Sequence, residues 1–173
     1  MRKLGIVCIC SLLALAAPVS AQETVTNGDW ATGDETGWTQ YAAGWSSGQT
    51  YTVTTAGPTQ PEGTLSLTGG SIAWYQALTV VNGVDYTITG DWEGTTVGWA
   101  EVLLFNDDGR SIADQIDVSP LASSIIYKRQ GGFSWSWVDF ASTPGTEAGT
   151  GNPTVTATGT VMYVAVKLGQ GAG

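Results

Sequence analysis

Residues able to do acid–base or nucleophilic chemistry are scarce in this chain, while aromatic rings are plentiful. There is no histidine, and both cysteines, Cys8 and Cys10, sit inside the apolar run at 4–17. A Ser-His-Asp or Cys-His nucleophile needs an imidazole, and zinc sites need His or Cys ligands, so these chemistries are excluded. Carboxylates remain: Asp85, Asp91, Glu93 and Glu101, with Glu101 on a strand-like run beside Trp99 and Leu103. Paired carboxylates suit hydrolysis of a glycosidic bond, and a buried Glu101 with a raised pKa would serve as the proton donor. The chain is short and lacks long active-site loops, so an enzyme is not expected.

The rings offer a different chemistry. The chain carries eight tryptophans and six tyrosines. Successive side chains of a strand point to opposite faces, so Trp74 and Tyr75 cannot share one. One face of that run carries Ile72, Trp74, Gln76, Leu78 and Val80; the other carries Ala73, Tyr75, Ala77 and Thr79. The first set is the more apolar and goes to the core, with Gln76 needing hydrogen-bond partners there. Tyr75 is then left on the outer face among small residues. In the next run Val84, Tyr86, Ile88 and Trp92 point inward, and Asp85, Thr87, Thr89 and Asp91 outward. In FSWSWVDF (133–140), Phe133, Trp135, Trp137 and Asp139 share a face, which is either a core face ending at a rim or a binding strip. Trp38 and Trp45 lie in or beside loops rich in Gly and Ser, where an indole is hard to bury. Sandwich interiors are also dominated by large aromatics, so core packing competes with function at every one of these positions. An exposed ring among Ala and Thr is a flat shelf on which the apolar C–H face of a sugar packs, with Asp, Asn, Gln, Thr or Tyr meeting its hydroxyl rim.

The elements that position these rings read as strands. Short alternating runs separated by turn residues, with no sustained helical period, indicate an all-β protein. The runs are 50–55 (Tyr51 and Val53 inward), 64–69 (Leu65 and Leu67 inward), 97–106 and 154–168, with two more strands in the opening stretch. VLLF and MYVAV are apolar on both faces and belong in the middle of sheets. Val81-Asn82-Gly83-Val84 and Asn106-Asp107-Asp108-Gly109 are turns, and a hairpin turn explains the second better than a metal loop. Residues 142–154 read as a long surface loop, and 119–126 could hold a helical turn. There is no internal repeat and no linker.

At the amino end, Arg2 and Lys3 precede the apolar run, and Pro18-Val19-Ser20-Ala21 supplies small residues. This pattern is that of a secretory signal peptide, residues 1–21, cleaved after Ala21. No cysteine follows the small residues, so lipid attachment is not expected, and Cys8 and Cys10 leave with the signal. Residues 22–173 then form a single extracellular domain without disulfides. In that domain Arg110, Lys128, Arg129 and Lys167 face fifteen acidic residues. Such a surface repels phosphate backbones and anionic lipid, so neither nucleic acid nor membrane insertion is expected, and neutral partners such as sugars remain.

VTNGDWATGDETGWTQY, then WYQALTVVNGVDYTITGDW, then TVMYVAVKLG together resemble secreted carbohydrate-binding modules of the jelly-roll, galactose-binding-like type, which bind cellulose or xylan and are often appended to glycoside hydrolases. The shared features are an Asn-Gly-Asp-aromatic opening, an early Gly-Trp, an aromatic-Gln-x-Leu-x-Val strand and a Gly-x-x-Tyr-Thr-Ile strand. The resemblance spans nearly the whole of 22–173. It implies a jelly-roll β-sandwich of two antiparallel sheets and a non-catalytic module for polysaccharide or glycan chains. The ligand would lie on the outer face of one sheet, where Tyr75, Trp135, Trp137 and Asp91 are candidates, or at loops of one rim, where Trp38 and Trp45 are. A catalytic domain in a longer parent chain would be a natural partner.

Two departures stand out. Members of this type usually carry a glutamate where Ala31 stands, and a final strand with further acids; together these hold a structural calcium. Here Asp34 and Glu35 come a few residues later, and the sequence ends at Gly173 after KLGQGAG. With two expected oxygen ligands missing, calcium is not favoured. A missing last strand would leave a sheet edge unpaired beside the N-terminal strand, so a fragment of a longer protein is expected. The alternative to a sugar-binding module is an extracellular structural or adhesive jelly roll with its aromatics internal and no sugar ligand.

Overall fold

Threonine, valine and aromatic residues fit a pleated surface, and the segments rich in them become strands. The computed structural model describes residues 25–28, 30–42, 50–54, 64–68, 70–96, 98–118, 125–130, 133–139 and 153–169; for 42, 54, 64–68, 91–96, 117–118, 125–130 and 133–139 it describes the backbone alone. In chain order the strands are β1 (Thr39–Ala42), β2 (Thr50–Thr54), β3 (Thr64–Thr68), β4 (Ser71–Thr79), β5 (Asp85–Thr87), β6 (Asp91–Thr96), β7 (Trp99–Asn106), β8 (Ile125–Gln130), β9 (Phe133–Asp139), β10 (Thr154–Thr156) and β11 (Val161–Gly169). One π-helical turn, Asp114–Val118, lies between β7 and β8. Every strand pairing is antiparallel. The protein is all-β. No described helix is long and apolar enough to cross a membrane.

The largest sheet runs β1-β4-β11-β7-β8, and β10-β5, β2-β3 and β6-β9 form pairs. The doubly apolar runs MYVAV and VLLF lie in β11 and β7, both interior strands of the large sheet. Along β4 the expected alternation holds: Trp74 is fully buried, and Gln76 is 8 % exposed. The face of Trp74 meets two clusters. Val80, Leu104, Met162 and Val164 pack with Tyr86 and Ala157 from the β5-β10 side. Ile72 and Trp74 pack with Trp30, and Trp38, Val53 and Leu168 join them.

The opposite face is not left to water. Ala73, Leu103, Phe105 and Ala165 are buried there against Ile116, with Ile112 alongside. The helical segment that carries both isoleucines covers the β7 side of this face. A short helical turn was expected in 119–126; the observed one begins before it, and 119–124 lie outside the described residues. The Asn106–Gly109 turn does not join a hairpin either. It leads into this segment, where Asp114 N donates to Ser111 Oγ (3.1 Å) and Gln115 N to Ser111 O (3.1 Å). Gln115, itself buried, ties the segment to the turn by donating to Asp107 Oδ1 (3.1 Å) and Arg110 O (2.9 Å).

Other differences follow from chain geometry. The run 84–92 is not one strand: β5 pairs with β10 and β6 with β9. Tyr86, Val84 and Ile88 nonetheless point to the core, and Asp85, Thr87 and Thr89 are exposed. Of the two strands expected in the opening stretch, β1 is the one among the described residues. Tyr51, expected inward, stays 37 % exposed while its ring meets Trp74 edge-on at 5.5 Å. The loop 142–154 lies outside the described residues up to 152.

Face to face with the helical segment lies a buried ion pair. Glu101 and Lys167 are opposite one another on β7 and β11, only 2 % and 5 % exposed, with Lys167 Nζ 3.9 Å from Glu101 Oε2. Lys167 Nζ also donates to Ile116 O at 3.3 Å and sits 5.9 Å from the Trp99 ring centroid. Trp99 in turn lies against Gly169, where any Cβ would collide with the indole. Removing one member of such a pair takes away a counter-charge that the other was buried against, whereas replacing both with apolar residues does not; Lys128 of β8 also lies opposite Glu101. We expect Lys167→Met alone to cost about 3–5 kcal/mol in urea denaturation, and Glu101→Leu with Lys167→Met to recover most of that loss. Equal destabilisation by the single and double variants would contradict this account.

Candidate functional site

On the face opposite Trp74, the strand register assembles a row of rings that no single strand contains. Tyr41 of β1 lies opposite Ala73, Tyr75 opposite Thr39 and Ala165, and Tyr163 of β11 opposite Ala77. Each tyrosine is therefore one strand over and two residues along from the last. Diagonal neighbours of this kind stand about 7–8 Å apart, within reach of aromatic rings. Tyr75 and Tyr163 meet edge to face, ring centroids 6.0 Å apart at 73°. Tyr163 leans on buried Phe105 at 5.5 Å. All three tyrosines are half-buried, while Thr39, Ala77 and Thr79 beside them are exposed.

This row exists because β4 presents small residues around Tyr75. Ala73 and Ala77 on β4, with Ala165 on β11, leave the rings standing above the sheet instead of sinking among larger neighbours. Ile112 and Ile116 wall the row on its β7 side. Burial first, then the nearby Asp107 carboxylate and Tyr75, push the Tyr163 phenol above its ordinary pKa. Its hydroxyl stays protonated at neutral pH, able to donate. Asp107 is held in place by accepting from Gly109 N (3.0 Å) and Gln115 Nε2 (3.1 Å) at one oxygen.

The other sequence candidates are Trp38, Trp45, Asp91, Trp135 and Trp137. Trp38 lies on the far side of the sheet, stacked on Trp30 at 4.8 Å and 16°, and its indole N–H donates to Asn27 O at 3.0 Å. Trp45 lies outside the described residues. Asp91, Trp135 and Trp137 are in the β6-β9 pair, where Asp91 is opposite Asp139 and Gly94 opposite Trp135. Their side chains lie outside the description. A register shift between Trp92 and Gly94 sets three steps of β9 against two of β6, so strict alternation does not run through 135–138. Tyr41 and Tyr163 went unread in the sequence. Tyr163 sits inside a run whose apolarity marks a central strand, and Tyr41 follows an irregular opening; only the register links them to Tyr75.

Among the described residues, Glu101 is buried against Lys167. Asp85 is exposed and accepts from Thr156 Oγ1 at 2.5 Å.

The loop in which the resemblance implies calcium is closed by protons already on the protein. Asp34 Oδ1 accepts from Thr32 Oγ1 (2.8 Å) and Thr36 N (2.9 Å). Glu35 Oε1 accepts the indole N–H of Trp74 at 2.5 Å. Asn27 Nδ2 donates to Asp34 O at 3.0 Å. Among the described residues no three acidic side chains converge. Asp34 Oδ1 and Glu35 Oε1 thus serve separate donors. Asn27 and Trp30 are held in the left-handed region, at φ 50° and 56°, which is costly for a tryptophan.

Comparisons of the chain with family models, with curated proteins and with solved structures find no match.

The backbone N–H of Thr36 first, then the Thr36 and Thr32 side chains, lower the pKa of Asp34. A carboxyl whose pKa falls on folding contributes stability above its unfolded value, and that contribution is lost as pH drops through the folded value. Comparing thermal unfolding of the wild type and Asp34→Asn across pH, we expect the gap to be widest near neutrality and to close in acid. A gap that persists below the carboxylate range would assign the role to something other than the charge.

Proposed function

We propose that this chain is a secreted, non-catalytic module that binds polysaccharide or glycan chains on the tyrosine row of its five-stranded sheet. In this reading the fold is a jelly-roll β-sandwich, residues 1–21 are a cleaved signal peptide, and residues 22–173 form one domain. The observation that carries the proposal is the diagonal Tyr41–Tyr75–Tyr163: three half-buried tyrosines that the strand register places on one face, with alanines between them. Ring faces there pack on the C–H faces of sugars, and Thr39, Thr79, Asp107 and the phenol hydroxyls supply a polar rim for sugar hydroxyls. Sites of this kind combine an apolar floor with few polar groups and stay wet. The acidic balance of the chain favours neutral glycans over anionic ones.

A second reading, an extracellular structural protein, draws support from the other face. There Trp30 and Trp74 are buried and their neighbour Trp38 is stacked on Trp30, so much of the indole content serves packing.

Affinity electrophoresis in soluble xylan, glucan and mannan separates the two. We expect retardation in at least one neutral polysaccharide, and Tyr75→Ala to weaken it by about tenfold or more, the effect of truncating a central anchor ring. Folded protein retarded by none of them would favour the structural reading, and equal retardation of Tyr75→Ala would move the binding site away from the tyrosine row.

A further inference from the structure

Two asparagines in the described chain, Asn27 and Asn82, are each followed by glycine. Glycine has no Cβ, so its backbone nitrogen is the one most open to approach by the preceding side chain. In an unfolded chain the two dipeptides are chemically alike. The fold treats them differently.

Asn27 is pinned at both ends of its amide. Nδ2 donates to Asp34 O (3.0 Å), and Oδ1 accepts from Thr32 N (3.4 Å). Its carbonyl is held as well, by Trp38 Nε1 at 3.0 Å and Trp30 N at 3.2 Å. Freeing this residue means undoing the loop that seats the Trp30–Trp38 stack.

Asn82 is exposed, and among the described residues its side chain makes no hydrogen bond. It occupies the second position of the Val81–Val84 turn, closed by Val84 N donating to Val81 O at 3.1 Å. Gly83 takes φ 81°, as the third position of a type II turn requires, with open space where a Cβ would be. Among the described residues, the Gly83 nitrogen is held by its hydrogen bond to Ala157 O, 2.7 Å. Val81 beside it is 56 % exposed. Val80 and Val84 at its base stay in the core, but opening the exposed tip at 81–83 disturbs less buried surface than undoing the loop that seats Trp30, which places it lower among local unfolding free energies.

We propose that Asn82 is a site of spontaneous modification, converting to aspartate and isoaspartate through a cyclic imide. When the Gly83–Ala157 bond opens, the Gly83 amide gives its proton to solvent base and its nitrogen attacks Asn82 Cγ. The Cγ–Nδ2 bond breaks, and ammonia leaves with a proton returned by solvent. Water then opens the imide. Cleavage at Cγ restores the normal peptide and leaves aspartate; cleavage at the main-chain carbonyl leaves isoaspartate, with one extra carbon in the backbone. The net change is water in for ammonia out, with no oxidant or reductant. Either product adds a negative charge to an already acidic chain. Isoaspartate also lengthens the turn that hands β4 to β5 and misplaces the Gly83 donor relative to Ala157. This site is independent of the tyrosine row.

The test uses the unmodified full chain, incubated folded at mildly alkaline pH, then digested with chymotrypsin and analysed by mass spectrometry. The peptide with Asn82 is expected to gain the amide-to-acid mass about tenfold faster than that with Asn27, the factor given by roughly 1.4 kcal/mol of difference in opening free energy. In urea the two rates should converge. A companion Asn82→Gln chain, whose longer side chain cannot close the five-membered imide, should lose most of the acidic shift that the wild type develops on isoelectric focusing. Equal rates in the folded protein, faster conversion at Asn27, no conversion at Asn82, or an undiminished acidic shift in Asn82→Gln would each overturn the proposal.

Discussion

Strand β4 lies between β1 and β11 and must satisfy two faces at once, and the rest of the structure depends on how unequally it does so. Its backbone is paired on both sides, with β1 over Thr39–Ala42 and with β11 over Val161–Gly169, so its register is fixed and each side chain is committed to one face. A slip of one residue would send Trp74 to the face of Tyr75 and Tyr75 into the core. On the Trp74 side the strand carries Ile72, Trp74, Gln76 and Leu78, large enough to need cover from the 25–38 loop and from β5-β10. On the Tyr75 side it carries Ser71, Ala73 and Ala77, small residues, and among the described residues it is the helical segment that covers the adjoining strands. Beside that segment stand the half-buried tyrosines.

Segments that are not strands reach this sheet through buried polar groups aimed at main-chain atoms. Gln76 takes Thr26 in both directions: Thr26 N donates to Oε1 at 3.0 Å, and Nε2 donates to Thr26 O at 2.6 Å. That is the pairing a neighbouring strand would have made, supplied by one side chain. Lys167 does the same for the helical segment through Ile116 O. Each such bond contributes only about 1 kcal/mol net, but leaving its buried partner unmet costs more. Their effect is therefore felt as selection of one docking position over others. Trp30 illustrates the force of that selection: it keeps a backbone conformation unfavourable for its type because its ring is trapped between Trp38 and the edge of Trp74, 5.8 Å away.

Much of this was legible in the sequence where a single strand held the information. The alternation in 71–79 assigned Trp74 and Tyr75 to opposite faces, and the apolar runs in β7 and β11 marked central strands. The Asn82-Gly83 turn was legible too, but not its partner: Gly83 donates to Ala157, far along the chain, a contact that no local pattern encodes. The break between β5 and β6 escaped because Thr87-Ile88-Thr89 continues the alternation, while the two halves pair with different strands. The segment around Ile116 is too short for a helical period, although Ser111 with Asp114 three residues on is a helix-start pattern. The tyrosine row was only one-third visible, since its members belong to β1, β4 and β11 and only the register aligns them.

The aromatic residues of the two faces differ in what they have left to give. On the inner side the polar handles are spent: Trp74 donates to Glu35, Trp38 to Asn27 O, and the Tyr86 hydroxyl accepts Val81 N at 2.9 Å. An aromatic whose polar tip is satisfied and whose faces are stacked has become part of the core. The hydroxyls of Tyr41, Tyr75 and Tyr163 make no hydrogen bond among the described residues. Their rings are held from below by alanines and by Phe105, so they lose little further freedom when something lies on them. Ordering a long flexible side chain on binding costs about 0.5–1.5 kcal/mol, and a ring already braced at its base avoids most of that. The two faces thus differ in whether the polar tips of their rings are engaged, and the difference at Tyr75 traces to the small residues that β4 sets on one side only.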